Sequence, residues 1–404
     1  MPYLRSPTKT RAIAVYVITG LVFGAGGARG LAIPLYADSL GASHAVVGLL
    51  FTAFTLGGAA LALPAGLIAD RFGHRASVVL SVVAGGASQI VAGLTTSVPV
   101  LFGCQVVGGL AAGASQTVLM AALTGAVSME RMGRAMGWLT LAIQTGFLVG
   151  PAVAGTLLHW LDYRETILIT GATPFLIALA LAFAGVAAGG GDRRRRLELG
   201  RPLRALASRP GFYGLCVGLF AATMMWGTYQ AYIPILGRKG FALTATEVGY
   251  LLAIQAVVNG GARIPAGMLV DRFPRKGVLV GVTVAIFCLA CVLLPHLQGF
   301  WAPAVLLVAT VPFLATGFVA IAMVFAQMAP ADARGAAMGV YTVILYFGLG
   351  FGPAVFAPLM DRSFVTGFTA AGLVTLGLAL LATAIRPEPL RRRRRATLPA
   401  PPAD

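Results

Sequence analysis

Two arginines interrupt stretches of sequence that are otherwise apolar, and they are the side chains best suited to bind a ligand. Arg29 lies in the first such stretch, and Arg263 follows Gln255 and Asn259 at steps of four residues in a later one. On a helix, steps of four place side chains on one slightly slanted stripe. A guanidinium donates two parallel hydrogen bonds to a carboxylate or phosphate. The pattern predicts a site for an anionic or zwitterionic organic molecule.

The acidic residues and histidines lie at the ends of these apolar stretches or between them. None of the 13 acidic residues and none of the 4 histidines falls near the middle of a stretch. Proton coupling commonly uses a titratable group whose pKa is tuned by a cavity, a role that arginine does not fill. Asp38 and Glu247 are the acidic residues nearest to the central cavity that we expect the helices to enclose. The motifs HExxH and GxSxG and a Walker-type loop are absent from the sequence, which predicts no enzyme, no metal site and no cofactor.

The composition is that of a chain embedded in a lipid bilayer. Of the 404 residues, 58% are hydrophobic and 11% are charged, whereas a soluble domain has about 25% charged residues. About 20 apolar residues at 1.5 Å each cross a hydrocarbon core. We therefore predict an all-α integral membrane protein with twelve transmembrane helices in two pseudo-symmetric six-helix bundles. The predicted spans are 12–36, 45–69, 76–97, 99–125, 135–158, 165–188, 211–236, 245–270, 277–296, 301–328, 336–359 and 364–385.

The basic residues are concentrated on one set of loops. These loops carry 24 of the 30 Lys and Arg residues, and the loops on the other side carry four. The positive-inside rule places both termini in the cytoplasm. This distribution explains the net charge of +17 without a nucleic-acid partner. The runs 193–196 and 391–395 are suited to anionic lipid head groups. The Arg-, Ala- and Gly-rich composition is typical of a GC-rich bacterial genome, which favours the cytoplasmic (inner) membrane.

An internal repeat divides the chain into two halves. The stretch 47–72 reappears as 248–273 at a constant offset of 201 residues, which indicates two parallel repeats. The division predicts an N-terminal bundle, a basic cytoplasmic linker, a C-terminal bundle and a basic, proline-rich cytoplasmic tail. Their ranges are 1–188, 189–210, 211–386 and 387–404.

The loop between the second and third spans has the sequence GLIADRFGHR, residues 66–75. It resembles the signature loop of the major facilitator superfamily. The resemblance implies a rocker-switch transporter in which Asp70 and Arg71 lock spans 2 and 11 in the outward-open state, with Asp271 and Arg272 as the equivalent lock between spans 8 and 5. The alternative is that these charges only end a helix at the interface. The expected gate residues are Gly66, Asp70, Arg71, Gly73, Arg75, Asp271 and Arg272.

Glycines at four-residue spacing precede a proline in spans 5 and 11 and would allow close helix packing. In span 5 the pattern resembles the antiporter motif of efflux members, although ordinary helix packing explains it equally well. The expected packing and hinge residues are Gly146, Gly150, Pro151, Gly155, Gly348, Gly352 and Pro353. In span 4, Gln105 stands where many proton-coupled efflux members carry an arginine, so the sequence departs from their route of proton antiport.

The resemblance also locates the substrate site, because spans 1 and 7 line the central cavity in this superfamily. The repeat places Arg29 close to the positions of Tyr229 and Gln230, and the alternative for Arg29 is that it snorkels to the outer interface. The expected substrate-binding residues are Arg29, Gln144, Tyr229, Gln230, Gln255, Asn259 and Arg263.

The function predicted is secondary active transport of a small organic molecule by alternating access, by a monomer. The span 5 motif favours export. The alternatives are uptake or facilitated diffusion of an organic anion without proton coupling, and a transporter that has become a sensor.

Overall fold

Twelve long α-helices make up nearly all of the described chain. The computed structural model describes residues 7–126, 132–183, 204, 207–209, 211–273, 275–328 and 334–384, and within these ranges there is no β-strand. The helices are α1 (Pro7–Ser39), α2 (His44–Phe72), α3 (His74–Leu94), α4 (Val98–Ala126), α5 (Met132–Trp160), α6 (Tyr163–Phe183), α7 (Phe212–Lys239), α8 (Ala245–Arg272), α9 (Lys276–Leu293), α10 (Trp301–Met328), α11 (Arg334–Arg362) and α12 (Phe364–Ala384). The all-α fold expected from the sequence is confirmed.

Ten of these helices are long and apolar enough to cross a membrane. The two that fall short are α7 and α8. In α8 the reason is the polar stripe Gln255, Asn259 and Arg263 within the helix. Both helices that fall short are thus in the second half of the chain, and α8 carries candidate substrate-binding residues.

The helices pack as two bundles with the same internal plan. In the first half α1 packs on α5, α2 on α4, and α3 on both α4 and α6; in the second half α7 packs on α11, α8 on α10, and α9 on both α10 and α12. The bundles meet along two seams, α2 with α11 and α5 with α8. Each pair in one half corresponds to a pair in the other, as the sequence repeat requires.

Helix ends repeat as well as helix pairs. Ser43 caps α2, its hydroxyl accepting a bond from the Val46 N–H at 3.4 Å, and Thr244 caps α8 by accepting from the Glu247 N–H at 3.2 Å. These caps are 201 residues apart, so the repeat includes the residues that begin each helix. Between α2 and α3, Gly73 adopts φ 90°, a left-handed conformation that glycine reaches without strain and that lets the chain turn within one residue.

Successive helices join at two faces of the molecule. We call the basic face the one where α2 meets α3, at Gly73, and where α8 is followed by α9. The opposite face carries the six links α1–α2, α3–α4, α5–α6, α7–α8, α9–α10 and α11–α12.

Candidate functional site

Arg29 lies inside the first bundle and does not snorkel to the opposite face. Its side chain is 5% exposed. Nε donates to Oε1 of Gln105 at 2.7 Å, Nη1 donates to the Ser88 hydroxyl at 3.0 Å, and Nη2 donates to the Cys104 carbonyl at 2.7 Å. All three acceptors are neutral. The guanidinium from α1 is thereby bonded to α3 and α4.

Two further residues shape the position of this guanidinium. Its central carbon lies 5.4 Å from the centre of the Phe54 ring of α2, a cation–π distance. On α4, a methyl group at Gly108 would clash with the guanidinium itself, so the guanidinium would have to move from its present position if residue 108 carried a side chain. Gln105, which stands where many proton-coupled efflux members carry an arginine, accepts one of the three hydrogen bonds of the arginine of α1. A polar residue in the middle of a span was the available signal, but the sequence did not link it to Arg29.

Arg263 lies in a second cluster where the two bundles meet. Its Nε donates to Oδ1 of Asn259 at 3.4 Å, and Nε2 of Gln144 donates to the same oxygen at 3.1 Å. Arg263 and Gln144 are half-buried, and Asn259 is 5% exposed. Tyr341 of α11 lies near enough to interact electrostatically with Arg263. The cluster thus joins α5 of one half to α8 of the other.

The remaining candidate substrate residues are not all in these clusters. Gln255 is 6% exposed, one turn from Asn259. Gln230 is half-buried. The Tyr229 ring instead points into the second bundle, with its centre 5.3 Å from that of Trp226 and 5.9 Å from that of Phe287, and it is fully buried. The structure brings together Gln144, Asn259 and Arg263, whereas the described contacts of Tyr229 and Arg29 are with other residues.

A polar contact between α4 and α11 was missed in the sequence. The Tyr346 hydroxyl donates to Oε1 of Gln116, which connects α11 of the second bundle to α4 of the first. On the seam between α2 and α11, the Thr52 hydroxyl donates to the Gly350 carbonyl at 2.7 Å. Gln116 and Tyr346 lie in apolar helices where either could have been read as packing, and no spacing in the sequence relates two residues so far apart.

The structure describes only some of the expected gate residues on the basic face. The burial and contacts of Gly66, Asp70 and Arg71 lie outside the described part of the structure. Asp271 and Arg272 are exposed at the end of α8, and no bond to either is found among the described residues. Gly73 forms the α2–α3 turn, and the Arg75 side chain next to it is exposed.

The expected packing glycines lie at close helix contacts. A methyl group at Gly146 would be 2.6 Å from the Gly20 carbonyl oxygen of α1, and one at Gly150 would clash with the Gly24 carbonyl oxygen. Gly155 faces α8, where a methyl group would be 3.1 Å from the Gly249 Cα atom. In the second half, methyl groups at Gly348 and Gly352 would clash with α7. Pro151 and Pro353 each follow the second glycine within α5 and α11.

Contacts on the opposite face hold the bundles together there. Nζ of Lys239 lies 2.6 Å from a carboxylate oxygen of Asp38, the one ion pair found among the described residues. The Ala45 N–H donates to the Asp361 carboxylate at 2.9 Å, and the Thr246 hydroxyl donates to the Gly155 carbonyl at 2.7 Å. Each bond crosses from one half to the other. In this structure the halves are joined from the opposite face to about mid-helix.

The arrangement is two cationic clusters within apolar helices, with no carboxylate bonded to either arginine in the described ranges. Arginine remains charged in such surroundings and binds carboxylate, sulfonate or phosphate groups by hydrogen bonds and charge. The clusters can therefore bind anions.

Comparison with known proteins agrees with the fold. The family model described as Major Facilitator Superfamily matches residues 15–353, with a second match over 215–401. "Multidrug resistance protein 2" of Bacillus subtilis is 24% identical over 371 residues, covering 87% of this chain and 90% of that protein. The "Probable sulfoacetate transporter SauU" of Cupriavidus necator is 24% identical over 268 residues, 61% of each chain.

Solved structures show the same fold. A bacterial homolog of the human lysosomal transporter Spinster, in an inward-facing and unoccupied conformation, matches with a TM-score of 0.75 and 17% identity over 94% of this chain and 96% of that one. The nucleoside transporter NupG matches with a TM-score of 0.73 and 14% identity over 93% and 98%. The chain belongs to the major facilitator superfamily, and it is a multi-pass membrane transporter, not an enzyme.

Proposed function

We propose that the protein is a secondary transporter that exports a small organic anion or zwitterion by alternating access. The observation that carries the proposal is the cluster of Gln144, Asn259 and Arg263 at the seam between the bundles. An arginine in the middle of a membrane helix costs about 2.5 to 3.5 kcal/mol on insertion scales, so its presence points to a functional role. Since no described carboxylate pairs with Arg263, a substrate anion is the partner that the cluster is suited to receive.

The proposed binding residues follow from this position. Arg263 donates to the anionic group, while Gln144 and Asn259 orient the guanidinium and contribute amide donors. Gln255 and Gln230 extend the polar surface along α8 and α7. Tyr229 contributes through its packing beneath that surface, and Arg29 contributes positive potential from within the first bundle. The relative named as a probable sulfoacetate transporter supports an organic anion as cargo, and the relative named for multidrug resistance supports export.

Alternating access requires two gates. On the opposite face, the bonds from Lys239 to Asp38 and from Ala45 to Asp361 would break when that side opens. On the basic face, the signature loop with Asp70 and Arg71, and its counterpart with Asp271, would form the alternate lock. The glycine and proline positions of α5 and α11 let the helices slide or bend between these states.

The setting proposed is the cytoplasmic membrane of a bacterium. Both termini and the basic face lie in the cytoplasm, because 24 of the 30 basic residues lie on that set of loops. The protein acts as a monomer, without a cofactor, and its basic segments 193–196 and 391–395 contact anionic lipids. We propose that residues 189–210 are a cytoplasmic linker between the bundles and that residues 387–404 are a cytoplasmic tail.

Uptake or facilitated diffusion without proton coupling is the second candidate. It is favoured by Gln105, which replaces the arginine of proton-coupled efflux members. It is favoured also by the described carboxylates, since Asp38, Glu247 and Asp361 all lie at helix ends and none lies beside Arg263.

Transport into membrane vesicles tests the proposal. Everted vesicles containing the wild type or Asp70→Asn, in equal amounts, are offered labelled short carboxylates and sulfonates, including sulfoacetate, and the cation ethidium. We expect anions to accumulate in wild-type vesicles and not in Asp70→Asn vesicles. Accumulation of ethidium without any anion would contradict the anionic substrate. Two results together would favour the second candidate over export. The anions would enter right-side-out vesicles, and a protonophore would leave their transport rate unchanged.

A further inference from the structure

Arg29 places a permanent positive charge within the first bundle, away from the seam between the halves. The side chain is 5% exposed, and its three described bonds go to neutral acceptors. A guanidinium has five N–H donors, so two have no acceptor within the described ranges. The single described ion pair is Lys239 with Asp38, on the opposite face. The charge of Arg29 is hydrogen-bonded but is not neutralised.

A small cavity lies directly beside this charge. Helices α1, α2, α3, α4 and α6 line it, all from the first half, and its volume is about 60 Å³. Pockets for organic ligands are commonly about 300 to 1,000 Å³, whereas a cavity of about 10 to 15 Å³ is enough to hold one water molecule. The cavity therefore has room for a small ion or a single carboxylate group, and not for a whole organic substrate.

Most residues that line the cavity are apolar, and its few polar residues include Arg29 and Gln89. Gln89, which is 2% exposed, uses one amide N–H to bond the Thr170 hydroxyl at 2.8 Å, and its second amide N–H has no acceptor among the described residues. Ser81 and Ser115 also line the cavity, but their hydroxyls donate to backbone carbonyls of their own helices at 2.7 and 3.0 Å. Arg29 and Gln89 are thus the residues with donors to spare.

We propose that Arg29 and Gln89 bind a small monovalent anionic group in this cavity, either a halide or a carboxylate. A buried cation is unfavourable in a low-dielectric interior unless an opposite charge lies close to it, and the anion supplies that charge. The site is separate from the Arg263 cluster, so it goes beyond the transport of an organic substrate and stands or falls independently of it. A purely structural Arg29, which only ties α1 to α3 and α4, would need no anion.

Thermal unfolding of the full-length protein in lipid nanodiscs tests this site. The ionic strength is kept constant with gluconate, and chloride, bromide or formate replaces it stepwise. Because a ligand that binds only the folded state stabilises it, we expect a saturable rise in the unfolding midpoint of about 2 to 4 °C with the small anions. A response to halides alone identifies an inorganic ion, and a response to formate alone identifies a carboxylate group.

Variants show whether Arg29 causes the rise. Arg29→Gln should abolish it. The matched control is Arg164→Gln, which removes an arginine bonded to two backbone carbonyls at the end of α3, at 3.2 and 3.3 Å, and should keep it. Arg29→Lys retains the charge with a single head group, so the anion should bind several-fold more weakly, and this variant serves if Arg29→Gln does not fold. No specific rise in the wild type, or an unchanged rise in Arg29→Gln or Arg29→Lys, would overturn the proposal.

Discussion

Helices α2 and α8 occupy equivalent places in the two halves, yet they carry different chemistry. At the offset of 201 residues, the polar stripe Gln255, Asn259 and Arg263 of α8 corresponds to Phe54, Gly58 and Ala62 of α2. The two helices have equivalent N-terminal caps, a proline at the same position and equivalent packing partners within their own bundles. The repeat therefore determines where each helix lies, and the departures from the repeat determine where a ligand can bind.

The same contrast separates the two seams between the bundles. Along α2 and α11 the contact is close: a methyl group at Gly58 would be 3.2 Å from the Tyr346 ring, and one at Gly350 would be 2.6 Å from the Thr55 hydroxyl. Along α5 and α8, Gln144 and Asn259 instead meet by a hydrogen bond next to Arg263. One seam is mainly a packing surface, and the other carries the proposed substrate site.

The largest effect is expected where both halves follow the repeat. Gly150→Ala and Gly352→Ala each place a methyl group against the backbone of the neighbouring helix, α1 or α7, and overpacking of this kind costs about 1 to 3 kcal/mol. Both variants should lose thermal stability and monodispersity on size exclusion. Gly261→Ala is the control, because nothing lies within 4 Å of its new methyl group. Equal stability of all three variants would refute close packing at these glycines.

A large effect on substrate binding, without loss of folding, is expected where the halves differ. Arg263→Gln removes a charged donor whose hydrogen bonds contribute about 1.5 to 3 kcal/mol, so affinity for an anionic substrate should fall at least about 10-fold. The control is Arg209→Gln, since Arg209 is exposed before α7. Binding is measured with purified protein, and an unchanged dissociation constant would remove Arg263 from the site.

The sequence predicted the repeated features better than the individual contacts. The apolar lengths predicted the twelve helices, and the offset of 201 residues predicted that the two halves are parallel repeats, because these features depend on local pattern. The four-residue spacing also predicted that Asn259 and Arg263 are neighbours. The partners of Arg29 were not predicted, since Ser88, Gln105 and the Cys104 carbonyl are 59 to 76 residues away and only packing brings them together. The inward direction of Tyr229 was missed for the same reason.

A moderate effect is expected at the polar contact of the packing seam. Tyr346→Phe removes the hydrogen bond to Gln116 and keeps the ring, which should change the balance between conformations by about 0.5 to 1.5 kcal/mol. The transport rate should change about two- to tenfold while substrate affinity stays the same. Tyr250→Phe is the control, since Tyr250 is 45% exposed. A loss of affinity equal to that of Arg263→Gln would show that Tyr346 belongs to the substrate site and that the seams do not differ as described.

The smallest effect is expected at the ion pair of Lys239 and Asp38, which are themselves 201 residues apart. The Lys239 side chain is 51% exposed, and exposed pairs contribute under about 1 kcal/mol and are screened by salt. Lys239→Gln should speed opening of the opposite face less than about fivefold, with the difference vanishing at high salt. Exchange of the two charges, Asp38→Lys with Lys239→Asp, should restore the wild-type rate. A charge-exchanged protein as altered as Lys239→Gln would show that the pair does not act through its charges.

The most direct test of the account compares small molecules inside cells that make the wild type with those inside cells that make Arg263→Gln at the same level. Untargeted mass spectrometry measures both. We predict that organic anions or zwitterions are depleted in wild-type cells and return to the level of cells without the protein when Arg263 is replaced. Depletion of organic cations, or depletion of anions that persists in Arg263→Gln, would contradict it.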